Sequence, residues 1–211
     1  MEAFGETAFY ESLIYKYFNQ ISSNEFPNKL VLGFNLLEKL RYGENPHQNG
    51  IFTGNLNQIF TKLHGKELSY NNLLDIDAAL DLMKEFKNEK HTFAILKHNN
   101  ACGISTRESL KQSYMSALEA DPISAFGGIL ICNSKMDVET AEIINTLFCE
   151  VVISPDFDND SLSILKSKKN RIILKLNSYP SKKDILRTCL NGSLYQSADN
   201  ITDSNEILSY P

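Results

Sequence analysis

The sequence is poor in several features that would assign a protein quickly. Only four of its 211 residues are cysteines: Cys102, Cys132, Cys149 and Cys189. They are widely spaced and no C-x-x-C pair occurs, so neither a zinc site nor a redox dithiol is signalled. Reduced, mostly buried thiols in a cytoplasmic protein are expected. Positive charge is in deficit as well. The 21 Lys and Arg residues face 26 Asp and Glu, a formal net charge of −5. This balance argues against non-specific nucleic-acid binding as the main task. An anionic small ligand is still compatible, because a local cluster of cations matters more than the total. No apolar run approaches the length of a membrane span and no signal peptide is read, so no membrane partner is expected. No G-x-G-x-x-G is present to support a dinucleotide fold.

What is present is an alternation of apolar runs with helical and strand-like character. The length suits one good-sized α/β domain with extra elements, or two small ones. Phe4, Ala8, Phe9, Leu13, Ile14, Tyr17, Phe18 and Ile21 recur at helical spacing, which predicts one amphipathic helix over about residues 3–21. A leading helix of this kind must bury its face against the following domain or against another one. Pro27 bars its continuation. Strands are expected at Leu30–Phe34, Ile129–Ile131, Val151–Ile153 and Ile172–Leu174, with a small hairpin from Ile51–Thr53 and Ile59–Thr61. Helices are expected at Leu73–Phe86 with Asn72 as N-cap, Thr106–Ala120, Val138–Leu147, Asn159–Lys166 and, more briefly, Asp184–Leu190. The alternation defines an α/β protein.

One stretch organises the rest: Thr92-Phe93-Ala94-Ile95-Leu96-Lys97-His98-Asn99-Asn100-Ala101-Cys102-Gly103. A β-favouring run ends abruptly in a cation, an imidazole and two amides. Ligands in α/β proteins collect at the carboxyl ends of parallel strands, and Lys97 and His98 are expected at such an end. Successive strand residues face opposite sides, so both can serve one site only if the chain turns at about His98. The Asn-Asn that follows suits that turn. The plainer alternative is a solvated strand end and a hydrogen-bonded loop histidine.

Other segments carry ligand-type chemistry. In Leu40-Arg41-Tyr42-Gly43-Glu44-Asn45-Pro46-His47-Gln48, Gly43 and Asn45-Pro46 force a defined loop, and Arg41 offers a fork of donors that matches phosphate or carboxylate. A solvent-exposed arginine in a turn is the alternative. Gly127-Gly128 opens an apolar strand and removes side chains where a ligand or a neighbouring helix approaches the backbone. Lys168-Lys169-Asn170-Arg171 is either a solvated helix end complementing the dipole or a phosphate holder. Gly65-Lys66 has the look of a phosphate-loop tail, but the upstream glycine and the Ser or Thr after the lysine are missing, so that reading is rejected.

Seven runs, in order, resemble one family, the bifunctional AICAR formyltransferase/IMP cyclohydrolases (AICAR is phosphoribosylaminoimidazolecarboxamide). They are Arg41 to Gln48; Leu68-Ser69-Tyr70-Asn71-Asn72 with Asp75-Ile76-Asp77-Ala78-Ala79; Lys97-His98 with Asn100 and Cys102-Gly103; Asp121 to Gly128; Glu150 to Pro155; Lys168 to Arg171; and Gly192 to Gln196. The leading helix, with Ala3-Phe4, Thr7-Ala8 and Tyr10, looks like the last helix of the family's cyclohydrolase domain. The resemblance divides the chain into residues 1–24, a terminal helix and linker of that domain, and 25–211, the first part of the transformylase domain. It implies a cytidine-deaminase-like α/β/α unit, the first of a tandem pair, and a homodimer with active sites at the interface.

The implied reaction moves a formyl group from 10-formyltetrahydrofolate, a co-substrate, to the 5-amino group of AICAR. No catalytic metal is implied. That amine is a poor nucleophile, because its lone pair is delocalised into an imidazole carrying a carboxamide. Attack therefore needs a base, and histidine suits this near neutral pH. The family's Lys-His pair falls on Lys97 and His98, as electrostatic stabiliser of the formyl oxygen and general base. Arg41, Tyr42 and Lys169 fall where the family holds nucleotide, Gly127 where backbone meets the base, and Glu150 near the ribose. His47 is an auxiliary. Three departures stand out: Ala101 replaces the family's usual proline, the cyclohydrolase domain is missing apart from its last helix, and the second transformylase unit is missing. Little or no turnover is therefore expected of this chain alone. A non-enzymatic folding or dimerisation module is the competing reading. A zinc nucleoside deaminase, the other use of such a fold, needs H-x-E and P-C-x-x-C, and neither occurs.

Overall fold

Ile129–Cys132, Val151–Ser154 and Ile172–Leu176 read as almost unbroken apolar runs rather than alternating ones, a pattern that demands cover on both faces of a sheet. The computed structural model describes residues 1–22, 28–35 and 38–199 and gives them that cover. It divides into two units, Met1–Ser178 and Tyr179–Pro211. In chain order the first holds α1 (Glu2–Ile21), β1 (Glu38–Lys39), β2 (Ile51–Phe52), α2 (Leu56–Ile59), β3 (Phe60–His64), α3 (Tyr70–Glu85), β4 (His91–Lys97), β5 (Asn100–Arg107), α4 (Leu110–Ala120), β6 (Ile129–Cys132), α5 (Val138–Ile144), β7 (Val151–Ser154), α6 (Asn159–Lys166) and β8 (Ile172–Leu176).

The six-stranded sheet has the order β3-β8-β7-β6-β4-β5. Strands β6, β7 and β8 are parallel, while β3, β4 and β5 pair antiparallel to their neighbours. Phe93 and Ile95, Leu130 and Cys132, Val152 and Ile173 join Leu110, Tyr114 and Ala117 of α4, Ala141 and Ile144 of α5 and Leu165 of α6 in one buried cluster. The alternate strand residues Ala94, Leu96, Ile129 and Ile131 are buried on the other face, where α3 packs on β4 and β6 with Ile76, Ala79, Leu80 and Met83. The result is the α/β/α sandwich expected. Each fully buried Leu, Ile or Phe contributes about 1.5–3 kcal/mol, while the exposed ion pairs contribute about 1 kcal/mol or less each. The sandwich is held by its core.

Local chemistry fixes the helix starts. Ser69, Ser109 and Asp137 accept from the backbone N–H of the third residue beyond. Asn72, expected as the N-cap of α3, is instead the third helical residue: the cap is Ser69, and the two close a capping box. Helix α4 begins at Leu110 rather than Thr106, because Asn100–Arg107 forms edge strand β5.

Other expectations are corrected. Ile51–Phe52 pairs with Glu38–Lys39 rather than with residues 59–61, and Phe60 opens β3 on the edge of the large sheet. Residues 30–35 adopt no regular structure and Leu30, Val31, Leu32 and Phe34 are exposed. Helix α1 forms as expected, yet Phe4, Tyr10, Leu13, Tyr17, Phe18 and Ile21 are exposed rather than buried. The boundary at residue 24, Pro27 and the tail from residue 200 lie outside the described residues. In the second unit, Asp184–Cys189 is a strand, β9, and not the helix expected. It pairs antiparallel with β10 (Gly192–Ser197), Cys189 opposite Gly192, around a turn in which Leu190 has φ 53°.

Candidate active site

One edge of the sheet gathers most of the singled-out residues. Leu96 of β4 lies opposite Ile129, Ile129 opposite Val151, and Val151 opposite Ile172. The end of β4 therefore adjoins the beginnings of β6, β7 and β8. Strand β3, antiparallel to β8, ends at the same edge, with His64 opposite Ile173. This corrects the sequence expectation. Lys97 and His98 follow an antiparallel strand, and the parallel strands offer their amino ends here, not their carboxyl ends.

The turn expected at His98 is present and tight. Lys97 pairs with Asn100, and the two residues between them, His98 and Asn99, have φ 51° and 64°, the signature of a type I′ hairpin turn. His and Asn tolerate this region better than most side chains. Asn100 Nδ2 donates to the His98 carbonyl at 2.8 Å, and the Asn99 N–H donates to Asp75 Oδ1 of α3 at 2.8 Å. A bulge between Ile95 and Leu96 leaves Cys102 unpaired in the register. Lys97 and His98 line one depression of about 330 Å³, together with Cys102, Asp121 and Ser124. Hydrogen bonds from Ser124 hold the Asp121 carboxyl below the usual range. Burial, aided by Asp121, pushes the Cys102 thiol up against the pull of Lys97, which favours the protonated thiol over the thiolate.

A second cleft, about 450 Å³, is lined by Lys66, Phe126, Phe148, Glu150, Lys168 and Lys169 among others. Hydrogen bonds link residues of the two concavities through the segment that holds the glycine pair. Lys97 Nζ donates to the Phe126 carbonyl at 2.8 Å, Gly127 N–H donates to the Phe148 carbonyl at 2.8 Å and Glu150 N–H to the Gly128 carbonyl at 3.0 Å. The Phe126 and Phe148 rings lie 5.1 Å apart. Gly127 is required by its φ of 77°, and Gly128 by the Leu96 carbonyl, which a Cβ would approach to 2.7 Å. The close neighbour of Gly128 is thus another strand's backbone, neither the ligand nor the helix considered from sequence.

Glu150 Oε2 accepts from Lys66 Nζ at 3.1 Å and Asn72 Nδ2 at 3.0 Å. Burial works to raise its pKa, but these bonds and the Lys66 charge outweigh it and hold the carboxyl below the ordinary glutamate value. Lys169 is exposed at the rim. Arg171 behaves differently from its basic neighbours. It is buried and donates to Asn145 Oδ1 and to the Leu165 and Leu147 carbonyls, closing the ends of α5 and α6. Gly65, with φ 98°, packs on the Arg171 carbonyl, which explains the Gly-Lys pair without a phosphate loop.

Arg41, Tyr42 and His47 are not brought to these residues by any hydrogen bond or ion pair among the described residues. Arg41 Nη2 donates to the Tyr42 hydroxyl at 2.9 Å, with the guanidinium carbon 4.7 Å from that ring's centroid, and His47 is exposed. Their loop is tied to α3 through Asn71 Nδ2, which donates to the Glu44 carbonyl at 3.1 Å. Sequence reasoning missed Lys66, Asn72 and Asp75 as partners of site residues, although Asn72 and Asp75 fall in runs it had singled out. Among the described residues no group of three or more His, Cys, Asp or Glu could hold a metal ion, and no helix is long and apolar enough to cross a membrane.

Fold and site together define an α/β/α domain with a polar, cation-lined edge. The sequence model of one family, described as AICARFT/IMPCHase bienzyme, matches residues 1–210, and the chain belongs to that family. It is 50% identical over 198 residues to the bifunctional purine biosynthesis protein PurH of Bacteroides thetaiotaomicron, covering 94% of this chain and 38% of that protein. The PurH proteins of Thermoanaerobacter sp. and Aquifex aeolicus are each 42% identical, over 98% and 95% of this chain and 41% and 40% of their own lengths. The chain thus spans about two fifths of the length of these relatives.

Proposed function

We propose that this chain is the nucleotide-side part of an enzyme that transfers a formyl group from 10-formyltetrahydrofolate to the 5-amino group of AICAR, and whose full length also cyclises the product to IMP. In this reading residues 1–24 end the cyclohydrolase domain and 25–211 begin the transformylase domain. The full-length protein is a cytoplasmic homodimer. The observation that carries the reading is that Lys97 and His98, consecutive in sequence, line one depression because a type I′ turn intervenes. His98 removes the amine proton as the new carbon–nitrogen bond forms; the bond between the formyl carbon and N10 of the folate then breaks, and tetrahydrofolate leaves with a proton on N10. Lys97, next to it, stabilises the negative charge that develops on the formyl oxygen. Glu150 and the Gly127 backbone receive ribose and base, Lys169 with Arg41 and Tyr42 the phosphate, and His47 assists. Family membership over the whole chain supports these roles.

In a formyl-transfer assay of the full-length protein, His98→Ala abolishes turnover with an unchanged circular dichroism spectrum. Lys97→Met lowers kcat by about 10²–10³. Full turnover in His98→Ala would remove the histidine from the mechanism. The 211-residue chain alone turns over little or nothing, and a rate equal to that of the full-length protein would contradict the division of labour.

A further inference from the structure

Building on the nucleotide reading above, we propose that Lys66 and Asn72 are positioning residues: they fix one oxygen of the Glu150 carboxylate so that the other is presented to a ribose hydroxyl. Both donate to Oε2, and Oε1 has no hydrogen-bond partner among the described residues. The backbone of Glu150 is clamped on both sides, its N–H on the Gly128 carbonyl at 3.0 Å and its carbonyl on the Ile172 N–H at 2.8 Å. With its root in the sheet and one oxygen held, the carboxylate retains little freedom. An acceptor held in this way loses little entropy on meeting a donor.

The residue types fit this role better than a purely structural one. The usual partner at the third helical position of a capping box is Glu or Gln. A glutamate there would close the box but place an anion against Glu150. Asn72 closes it with Oδ1, which accepts from the Ser69 N–H at 3.2 Å, and still has Nδ2 to donate to Glu150. Lys66 is delivered from the other side, where Gly65 at φ 98° packs on the Arg171 carbonyl. The cleft then offers, side by side, a carboxylate oxygen that repels anions and accepts from hydroxyls, and cations at Lys168 and Lys169 that attract phosphate. A ribose phosphate meets both demands. Lys66, already bonded to Glu150, orients the acceptor rather than holding the phosphate.

The test compares binding of AICAR ribonucleotide and its 2′,3′-dideoxy counterpart by calorimetry in the full-length protein. It is combined with carbon-13 NMR titration of the Glu150 carboxyl, which needs no ligand. The wild type prefers the ribonucleotide by about tenfold or more, as a hydrogen bond to a charged acceptor implies. Lys66→Met and Asn72→Asp each bring that preference close to unity and leave dideoxy affinity unchanged. Each also raises the Glu150 titration midpoint, and Lys66→Arg restores both properties. Equal weakening of both nucleotides by Lys66→Met would make Lys66 a phosphate ligand and overturn the proposal. An unmoved Glu150 midpoint would overturn the hold itself, with nucleotide binding intact. If the wild type bound neither nucleotide, the nucleotide reading would fall and the ribose assignment with it, even where the midpoint still moved.

Discussion

The backbone N–H of Asn99 donates to the Asp75 carboxylate at 2.8 Å, so the turn carrying His98 is tied to helix α3 rather than standing alone at the sheet edge. Two consecutive non-glycine residues with positive φ cost roughly 1–2 kcal/mol each. A hydrogen bond to a charged acceptor returns about 1.5–3 kcal/mol, toward the lower end here because the contact is exposed. The bond offsets much of the strain, and the turn keeps the shape that puts Lys97 and His98 in one depression.

Removing that anchor should loosen the turn without touching substrate. In the full-length protein, where the proposed formyl transfer would be assayed, Asp75→Ala lowers it about tenfold while thermal stability falls by no more than about 1.5 kcal/mol. Asp75→Asn, which keeps an oxygen acceptor, recovers most of the activity. Steady-state kinetics with a thermal melt checks this, and full activity in Asp75→Ala would show that the turn holds its shape unaided.

The two glycines before β6 should respond differently to alanine. At Gly128 an added Cβ meets the Leu96 carbonyl at 2.7 Å, while at Gly127 the nearest atom is 3.5 Å away and only the φ of 77° opposes a side chain. Gly128→Ala is expected to cost about 2–3 kcal/mol as overpacking, and Gly127→Ala about 1–2 kcal/mol as backbone strain. Urea unfolding of both variants gives the ranking, and the opposite order would contradict the packing described.

Tyr114 stabilises through its ring and not through its hydroxyl. The ring meets Phe93 edge-on at 5.0 Å, but the buried hydroxyl has no hydrogen-bond partner among the described residues. Burial, followed by the Cys149 thiol, pushes its pKa up to about 12 against the pull of Arg171. The raised pKa favours the protonated phenol in the fold. That contribution is whole below the unfolded value near 10 and is lost as pH rises through 12. Tyr114→Phe should therefore be neutral or stabilising by up to about 1 kcal/mol at pH 7. Its advantage should grow by about 1.4 kcal/mol for each pH unit between about 10 and 12. Denaturant unfolding at pH 7 and pH 11 tests both parts, and an advantage that shrank at pH 11 would refute them.

In the hairpin of the second unit, Leu190 holds φ 53° with its side chain fully exposed. Leu190→Gly relieves the strain at no packing cost, and the β9–β10 amides should gain about 1 kcal/mol of protection. Hydrogen exchange of residues 184–197 measures this, and unchanged or faster exchange would count against the turn.

Sequence patterns carried most of the sandwich, because buried parallel strands and capped helices leave strong local marks. Helix α6 spans the residues its periodicity implies, and β4 differs by a residue at either end. Strand β5 was missed because Asn100–Arg107 is an edge strand of mixed polarity whose stability comes from pairing with β4. Residues 184–190 mislead because Ile185, Leu186 and Cys189 fit a helical spacing, yet their pairing with β10 decides the outcome. In the site, the consecutive Lys97 and His98 were legible. The partners of Glu150 were not, since Lys66 and Asn72 lie 84 and 78 residues away along the chain. The grouping of Arg41, Tyr42 and His47 with the sheet edge came from resemblance alone.

Helix α3 has a consequence that reaches beyond its own packing. Within five residues Asn71 grips the loop bearing Arg41, Asn72 grips Glu150 and Asp75 grips the turn bearing His98. Three segments remote in sequence thus share one rigid mooring. Any change that slides α3 over the sheet, such as a different side chain at Ile76 or Met83 beneath it, would shift all three in concert. Tuning of the site can therefore come from the oily underside of a helix, out of reach of any ligand.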